Sequence, residues 1–490
     1  MDSDIKTTVA DAPGRIEQHG VNFIPEADRH SRPANIFWIM LGSCVTFPLI
    51  VLGWIPIAFG LNFWQALSAV FAGAVVGALL LAPMSLLSPK TGTNNPIGSS
   101  AHFGIVGRIV GSVLAMLISI LFTALAVWTG GDALAASFSR LFGLGGGPGA
   151  QVIWYTVIAL FVLLVAVYGH STMLRLQKIS APVAGAVMII GLIVLWPMFE
   201  PGKPAAVELA FGSFWPTWVA GAVPTALAVM GYSLAIGDWT RYISPQRYTS
   251  RQVASWTILG GVVGMGGPVM WGTFTASTLQ DPAGDYVVGL VAVVPLWFVA
   301  GIAIIGLCSG AAQGTVNMYS TGLDLSSIFP KVKRVPATVF VGVVSYAVVL
   351  LGVFVGSLID NLTTLLDLLS VGFAAFVIVI AVGYWNHRGQ YDSHALQAFS
   401  RGETGGRYWF VNGWNWRAVT AFIIGTILGL LSLSTAWYQG PLVEVFGGIA
   451  FGFLIAAAAS ALVYTALLYF FPEDGKDYVT GAPRIARRIG

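Results

Sequence analysis

The chain of 490 residues is 56% hydrophobic and only 9% charged, with a mean hydropathy of +0.79. Soluble domains average about 25% charged residues, so the composition argues against a soluble enzyme, a disordered chain and a nucleic-acid-binding protein. The net charge of +3 offers no basic patch. Cys44 and Cys308 can form no disulfide framework and have no metal-ligand spacing, so we expect no metal and no cofactor. The sequence predicts an integral membrane protein, in which residues 1–34 are too polar for a signal peptide.

Twelve stretches of the sequence are apolar over the roughly 20 residues that a membrane helix needs. They lie near 35–58, 62–87, 105–139, 151–169, 173–197, 214–243, 251–277, 286–325, 337–358, 362–385, 416–437 and 443–471. The predicted fold class is therefore an all-α polytopic membrane protein with twelve transmembrane helices, here called spans 1 to 12. Its expected surroundings are the lipid bilayer.

The basic residues favour one orientation for these spans. With the N-terminus in the cytoplasm, all 24 Lys and Arg residues except Arg140 and Lys203 belong to cytoplasmic loops, the span ends beside them, or the tails. We therefore expect a plasma-membrane protein with both termini cytoplasmic. The expected divisions are a cytoplasmic tail at 1–34, a five-helix repeat at 35–197, a second five-helix repeat at 214–385, a cytoplasmic loop at 386–415, two extra C-terminal helices at 416–471 and a cytoplasmic tail at 472–490.

Two spans are interrupted by glycine and small polar residues at membrane depth. Span 1 contains Gly42, Ser43 and Cys44 ahead of a proline, and span 6 contains Gly231 ahead of a tyrosine and a serine. Irregular backbone at this depth is tolerated only where it faces protein or a water-filled cavity. Spans 1 and 6 hold corresponding places in the two halves, a pattern typical of a five-plus-five inverted-repeat (LeuT-like) transporter with a midplane site.

Most of the 59 glycines are interpreted as packing positions rather than moving parts. Gly73 and Gly77 form a GxxxG pair within span 2. This pair predicts that another helix approaches span 2 closely.

An aromatic ring and a carboxylate share one face of span 3, where Trp128 and Asp132 are four residues apart. A ring that stacks and an acid that accepts N–H donors suit a flat heterocycle. An ionisable group inside a span is also expensive unless it is hydrated or paired. The alternative is that Asp132 lies near the outer end of the span, while Trp128 packs or anchors at the interface.

Two polar pairs lie in spans 6 and 8. Asp238 and Arg241, three residues apart near the cytoplasmic end of span 6, predict a structural ion pair or a gate latch rather than a substrate contact. Gln313 and Asn317 share a face of span 8, and carboxamides offer both donors and acceptors, which matches the edge of an amide-like base. The alternative for this pair is hydrogen bonding between spans. Asp367, near the start of span 10, is a further candidate for a proton relay.

Several short motifs, taken in order, resemble the nucleobase:cation symporter family of cytosine, purine, uracil and allantoin permeases, closest to the cytosine–purine branch. The resemblance implies the inverted-repeat fold with two extra helices, a site between spans 1, 3, 6 and 8, and alternating access. The landmarks are Arg32-Pro33 with Phe37-Trp38, Pro89-Lys90-Thr91-Gly92, His102-Phe103-Gly104, Gly169-His170, Asp238-Trp239-Thr240-Arg241-Tyr242, Asn317-Met318-Tyr319-Ser320-Thr321-Gly322-Leu323, Arg407-Tyr408-Trp409 and Gly413-Trp414-Asn415-Trp416-Arg417-Ala418.

The family's binding residues carry over unevenly. The span-8 asparagine falls on Asn317 and the span-6 aromatic of the cytosine–purine branch on Tyr232. The stacking tryptophan of the family on span 3 falls near Phe122. This residue either stacks on the substrate in place of the tryptophan or only packs against neighbouring helices. The family's nearby amide side chain falls near Ala126 and is therefore absent from this chain. The expected substrate-binding residues are Phe122, Trp128, Asp132, Tyr232, Ser233, Gln313 and Asn317, with backbone of the breaks at Gly42, Ser43, Cys44 and Gly231.

The resemblance also bears on the coupling ion. Sodium-coupled members place two hydroxyl residues five and six positions before the span-8 asparagine, where this chain has Ala312 and Ala311. A hard cation needs oxygen ligands, so we expect proton coupling, with Asp132 as the carrier.

The expected function is import of cytosine or a purine base with a proton. The alternatives are transport of allantoin, hydantoin or a vitamin B6-type pyridine, with either a proton or sodium as the coupling ion, or of an amino acid. A polytopic membrane enzyme is disfavoured because no cluster of catalytic His, Asp or Glu lies at one depth. A sensor is disfavoured because no cytoplasmic output domain is present. The sequence leaves the exact substrate, the stoichiometry and the oligomeric state open.

Overall fold

The computed structural model describes residues 22–144, 148–202, 208–279, 286–355, 358–435, 437–474, 478–479 and 483–485. Within these ranges the chain is helical, and β-pairing is limited to isolated bridges. A helix corresponds to each of the twelve predicted spans. The bounds are Ala34–Cys44 and Phe47–Ala58 for span 1 (halves 1a and 1b), Phe63–Leu81 for span 2, Ile109–Phe142 for span 3, Pro148–Tyr168 for span 4, His170–Leu195 for span 5, Phe214–Met230 and Ile236–Thr240 for span 6 (6a and 6b), Ser250–Leu259 and Gly266–Ala276 for span 7, Leu296–Ile328 for span 8, Arg334–Val355 for span 9, Leu358–Asn386 for span 10, Trp416–Leu431 for span 11 and Gly452–Phe470 for span 12.

Fewer than twelve of these helices meet the length and hydropathy that a membrane span requires. Among the described residues, nine helices are long and apolar enough to cross a bilayer, or ten if the two halves of span 1 are one crossing. Helix 6a, with 17 residues, and span 11, with 16, are shorter. The count of twelve crossings therefore stays a prediction.

Two predicted spans are less regular than expected. The stretch predicted as span 8 is divided into Tyr286–Val293 and Leu296–Ile328, because Pro295 has no N–H to continue a helix and lies in an extended conformation before the second segment. Span 7 is interrupted by a π-helical turn at Gly260–Met265.

The packing of the first ten spans repeats when each span is exchanged for the one five places away. Span 2 packs on 6a and span 7 packs on 1b; spans 4 and 9 each pack on spans 3 and 8; span 5 packs on span 8 and span 10 on span 3. Spans 3 and 8 pack along each other. Five crossings bring the chain to the opposite side, so the second half is inverted relative to the first. The contacts thus support the predicted inverted repeat.

Glycines bring the backbones of spans 1, 2, 6 and 7 together. A Cβ at Gly73 or Gly77 would overlap backbone carbonyls of helix 6a, at Ala222 and Ala226. The predicted close approach at the GxxxG pair is confirmed. The symmetry-related contact between 1b and span 7 is equally tight, because a Cβ at Gly272 would overlap the carbonyl of Ile50.

A buried polar cluster ties spans 11 and 12 to the ten-helix core. It lies on the side of the molecule where span 1 begins and span 12 ends, here called the side of the termini. Glu473, just after span 12, lies 3.0 Å from His387 Nε2 and accepts a 2.8 Å hydrogen bond from Asn415, which also donates to the carbonyl of His102. Burial opposes ionisation of Glu473, but the hydrogen bonds from His387, Asn415 and Tyr478 outweigh it and hold its pKa below the usual range. Burial and the neighbouring His387 hold the pKa of His102 well below its usual range.

Candidate functional site

The break in span 1 exposes backbone groups at the centre of the bundle. The helix axis bends by 72° between 1a and 1b. Helix 1b has Pro48 in its first turn, where the N–H that proline lacks would have no partner within the helix. The N–H of Phe47 donates to Ser309 Oγ on span 8 at 3.1 Å. Ser43, predicted at this break, donates to the carbonyl of Ile39 at 2.6 Å. The break is therefore anchored to span 8 rather than open to lipid.

The break in span 6 lies opposite and is held by a residue that the sequence analysis missed. After 6a, a single 3₁₀ turn at Gly231–Ser233 leads into 6b. The Ser233 hydroxyl donates to the carbonyl of Met230 at 2.6 Å, and the Ser233 carbonyl accepts from Asn95 Nδ2 at 2.8 Å. Asn95 is fully buried in a short helix after span 2, so the turn at Ser233 is fixed by an amide from the other half. Only the adjacent asparagines at 94 and 95 in the sequence signal this role.

Two buried carboxamides on span 8 have side-chain atoms without hydrogen-bond partners among the described residues. Gln313 is 1% exposed and Asn317 is 6% exposed. Among the described residues, neither polar atom of the Gln313 side chain nor Nδ2 of Asn317 has a hydrogen-bond partner. Leaving a buried polar group unsatisfied costs about 1–3 kcal/mol. Such groups in one helix face indicate a place where a ligand supplies the missing donors and acceptors.

Gln313 adjoins both breaks. The hydroxyl of Tyr232, at the span 6 break, lies beside Ser43, Cys44 and Gln313, with the Cys44 sulfur at 3.9 Å. Cys44 is fully buried and Tyr232 is 8% exposed. The structure thus brings together four of the predicted residues of spans 1, 6 and 8, namely Ser43, Cys44, Tyr232 and Gln313.

A cavity of about 440 Å³ opens on the side away from the termini, a size typical of small-molecule sites. Its lining comes from 1b, span 3, 6a, span 10 and the connection between spans 11 and 12. Phe122 and Gly231 are part of the lining, so the cavity reaches the level of the breaks. The other predicted binding side chains lie outside the lining, in the packed region around the breaks.

Trp128 and Asp132 face span 4 instead of this cavity. The Asp132 carboxylate accepts hydrogen bonds from Tyr155 at 2.5 Å and from Gln151 at 3.1 Å, both on span 4. The ring of Trp128 lies 6.1 Å from that of Tyr155, centroid to centroid. The face that these two residues share is therefore used for packing between spans 3 and 4.

The predicted pair Asp238 and Arg241 belongs to a larger buried cluster, here called the charge seal, on the side of the termini. It is completed by Arg108 at the start of span 3 and Asp324 near the end of span 8. All four side chains are at most 3% exposed, and Asp324 interacts electrostatically with both Asp238 and Arg108. Arg241 donates to the hydroxyl of Tyr319, and Arg108 donates to the carbonyl of Ser327. The charge seal therefore joins spans 3, 6 and 8 on the side of the termini.

The arrangement is that of a bundle open on one side of a central site and closed on the other. The cavity lies on the side away from the termini, and the buried charge seal lies on the opposite side. In the described residues no group of three or more His, Cys, Asp or Glu side chains could hold a metal ion.

Comparisons with known proteins agree with this geometry. The model of a family described as permeases for cytosine/purines, uracil, thiamine and allantoin matches residues 23–456. The chain is 24% identical over 489 residues to "Putative purine-cytosine permease YxlA" of Bacillus subtilis (strain 168), covering 97% of this chain and 98% of that protein. It is 22% identical over 408 residues to the hydantoin permease of Microbacterium maritypicum, covering 77% of each.

A solved structure shows the same fold. The chain superimposes on Mhp1, a nucleobase-cation-symport-1 family transporter, in a closed conformation with bromovinylhydantoin bound, with a TM-score of 0.69 and 16% identity over 96% of this chain and 97% of that one. The predicted all-helical transporter fold is confirmed.

Proposed function

The chain belongs to the family of permeases for cytosine/purines, uracil, thiamine and allantoin, and from this premise we propose that it imports cytosine or a purine base with a proton. It is an integral membrane transporter of the nucleobase:cation symporter family and not an enzyme. The single observation that carries the choice of substrate is that Oε1 and Nε2 of Gln313 and Nδ2 of Asn317 are buried without hydrogen-bond partners among the described residues.

A nucleobase can supply the hydrogen-bond partners that these carboxamides lack. A ring amide or amidine edge presents a donor beside an acceptor, and each carboxamide presents the same two groups. Phe122 is half-buried at the cavity wall, while Tyr232 lies at the break. An aromatic ring of either residue can stack on a planar base, a contact worth about 0.5–1.5 kcal/mol beyond the buried area.

The transport cycle follows from the two closures. With both termini in the cytoplasm of a cell and the cavity facing outward, the base enters between 1b and 6a. Binding at the breaks favours a state in which the cavity closes and the charge seal opens. The base can drive that change only if it binds more tightly to the intermediate state, in which the cavity and the charge seal are both closed, than to the open state. The charge seal then acts as the cytoplasmic gate.

We expect substrate affinity to be insensitive to sodium. Ala311 and Ala312 supply no hydroxyl oxygen, and the carbonyl of Ala312 already accepts a 2.9 Å hydrogen bond from Gln177 Nε2 on span 5. A coupled ion would change affinity by about 5- to 150-fold. Binding of radiolabelled cytosine, measured with sodium chloride and then with choline chloride at equal ionic strength, should give the same Kd. A lower Kd in sodium would contradict proton coupling.

The substrate assignment is tested with Asn317→Ala. We expect this variant to bind cytosine about 10- to 100-fold more weakly, because about 1–3 kcal/mol is lost when one partner of a buried hydrogen bond is removed. Equilibrium binding to the purified protein, with adenine, hypoxanthine, uracil, allantoin, hydantoin and pyridoxine as competitors, measures both affinity and substrate class.

The matched control is Gln246→Ala, which removes a carboxamide from an exposed loop position. It should bind like the wild type. If only allantoin or hydantoin competes, the substrate bound by these carboxamides is a cyclic ureide and not a nucleobase. No binding of any of these compounds to the wild type would refute the proposal.

A further inference from the structure

Among the described residues, one carboxylate lines the cavity. Asp367 lies on span 10, three residues after Thr364, and it lines the cavity together with Ser370 and Phe373. Its side chain is half-buried, so it is in contact both with protein and with the water of the open side. Asp132 on span 3, in contrast, has no place in the lining.

Among the described residues, the surroundings of Asp367 contain no compensating charge. The lining residues contributed by 1b, span 3, 6a and the connection between spans 11 and 12 are apolar apart from serine, and among the described residues none of them is titratable. Representative neighbours across the cavity are Leu49 from 1b, Phe122 from span 3 and Leu227 from 6a. No described side chain forms an ion pair or a hydrogen bond with the Asp367 carboxylate.

These surroundings make the charge of Asp367 depend on whether the cavity is open. While water fills the cavity, the carboxylate is hydrated and its negative charge is tolerated. When the cavity closes, water is expelled and an unpaired charge would be enclosed by apolar side chains, which strongly disfavours the charged form. Closure is then favourable only after a proton has bound.

Asp132 lacks this property. Its carboxylate already accepts hydrogen bonds from Tyr155 and Gln151, which stabilise it in either state of the cavity. It also faces span 4, whose contacts with span 3 do not form the cavity wall. Opening and closing of the cavity therefore leave its surroundings unchanged.

We propose that Asp367, rather than Asp132, is the group that carries the coupling proton. This inference rests on the proposed function. The carboxylate takes one proton from water on the open side and becomes a neutral carboxylic acid, the cavity closes over base and acid together, and the proton leaves to water on the side of the termini once the charge seal has opened. Asp367 thus links proton binding to closure without touching the base.

The test compares Asp367→Asn with Asp132→Asn in proteoliposomes, using radiolabelled cytosine. Two readouts are needed: exchange of internal for external cytosine without a gradient, and accumulation driven by an imposed proton gradient. Asp367→Asn should keep exchange and lose accumulation, because a permanently neutral side chain lets the cavity close without a proton. Asp132→Asn should keep both. The wild type should bind cytosine about 5- to 150-fold more tightly at acidic than at alkaline pH, and Asp367→Asn should lose that dependence.

Other outcomes are equally decisive. Proton-driven accumulation by Asp367→Asn, or its loss in Asp132→Asn alone, would overturn the inference. Loss of cytosine binding in a normally folded Asp367→Asn would make Asp367 a substrate contact and would also overturn it. If Asp367→Asn does not fold, Asp367→Glu decides: a displaced pH profile of uptake supports the inference and an unchanged profile overturns it. Failure of the proposed function itself is distinguishable, because then the wild type binds no base.

Discussion

The variant Arg108→Met is expected to open the charge seal and to destabilise the closed arrangement by about 3–5 kcal/mol. Arg108 is fully buried, and its removal leaves Asp324 beside Asp238 without its cation. Two neighbouring buried carboxylates repel each other and lack hydration. We therefore expect the population to shift toward a state in which water reaches the cluster from the side of the termini.

The natural thiol at the span 1 break reports this shift. Cys44 is fully buried, and in a Cys308→Ser background its alkylation by N-ethylmaleimide should be at least about 100-fold faster in Arg108→Met, since each 1.4 kcal/mol is a factor of ten. Adding Asp324→Asn should restore slow alkylation, because it removes the carboxylate that lost its partner.

The control for this variant is Arg401→Met, which removes an exposed pair with Glu403 and should leave the alkylation rate unchanged. If Arg108→Met melts at a lower temperature yet leaves Cys44 unreactive, the cluster supports the fold and is not a gate.

The variant Gly272→Ala is expected to lose about 1–3 kcal/mol of stability, the usual cost of an overpacked contact. Its new methyl group would overlap the backbone carbonyl of Ile50 on 1b, which cannot rotate away as a side chain could. The two helices must separate, and the contact that positions the span 1 break is lost. Thermal unfolding of the purified protein in detergent measures the effect.

The same substitution earlier in the same helix is the control for Gly272→Ala. At Gly267 an added Cβ meets nothing within 4 Å, so Gly267→Ala should be neutral or slightly stabilising, since alanine favours helix. Equal melting temperatures for the two variants would show that the contact between 1b and span 7 adapts to an extra methyl group.

The breaks and their place in the fold were predictable because the signal is local. Glycine and serine at membrane depth in Gly42–Cys44 and around Gly231 conflict with a regular lipid-facing helix, and the conflict is visible without knowing any neighbour. The GxxxG pair in span 2 was predictable for the same reason, since small residues matter through their own size.

The orientation of span 3 was not predictable in this way. Phe122 and Trp128 are six residues apart, which is a rotation of about 240° around the helix, so only one of them can face the cavity. Both are aromatic and both suit either a ligand or a neighbouring helix. Only the packing of Tyr155 against Trp128 separates the two roles.

Long-range pairs were equally hidden. Arg108 and Asp324 lie in different halves of the chain, and no spacing in the sequence links them. The proximity of Asp238 and Arg241 was predictable because they are three residues apart in one helix. The charged residues of spans 3 and 8 that join them in the structure were not. The cavity exposure of Asp367 likewise depends on how span 10 packs and not on its own residues.

The polar cluster around Glu473 makes the last two helices inseparable from the core. Its hydrogen-bonding members come from the connection before span 3, the end of span 10, the start of span 11 and the segment after span 12. Cutting the chain before span 11 would remove Asn415 and Glu473 together and leave His387 and the carbonyl of His102 buried without their acceptor and donor. A shortened transporter without spans 11 and 12 would thus contain buried polar groups that lack hydrogen-bond partners. For the same reason, a change at any one of these four places constrains which changes the other three can accept.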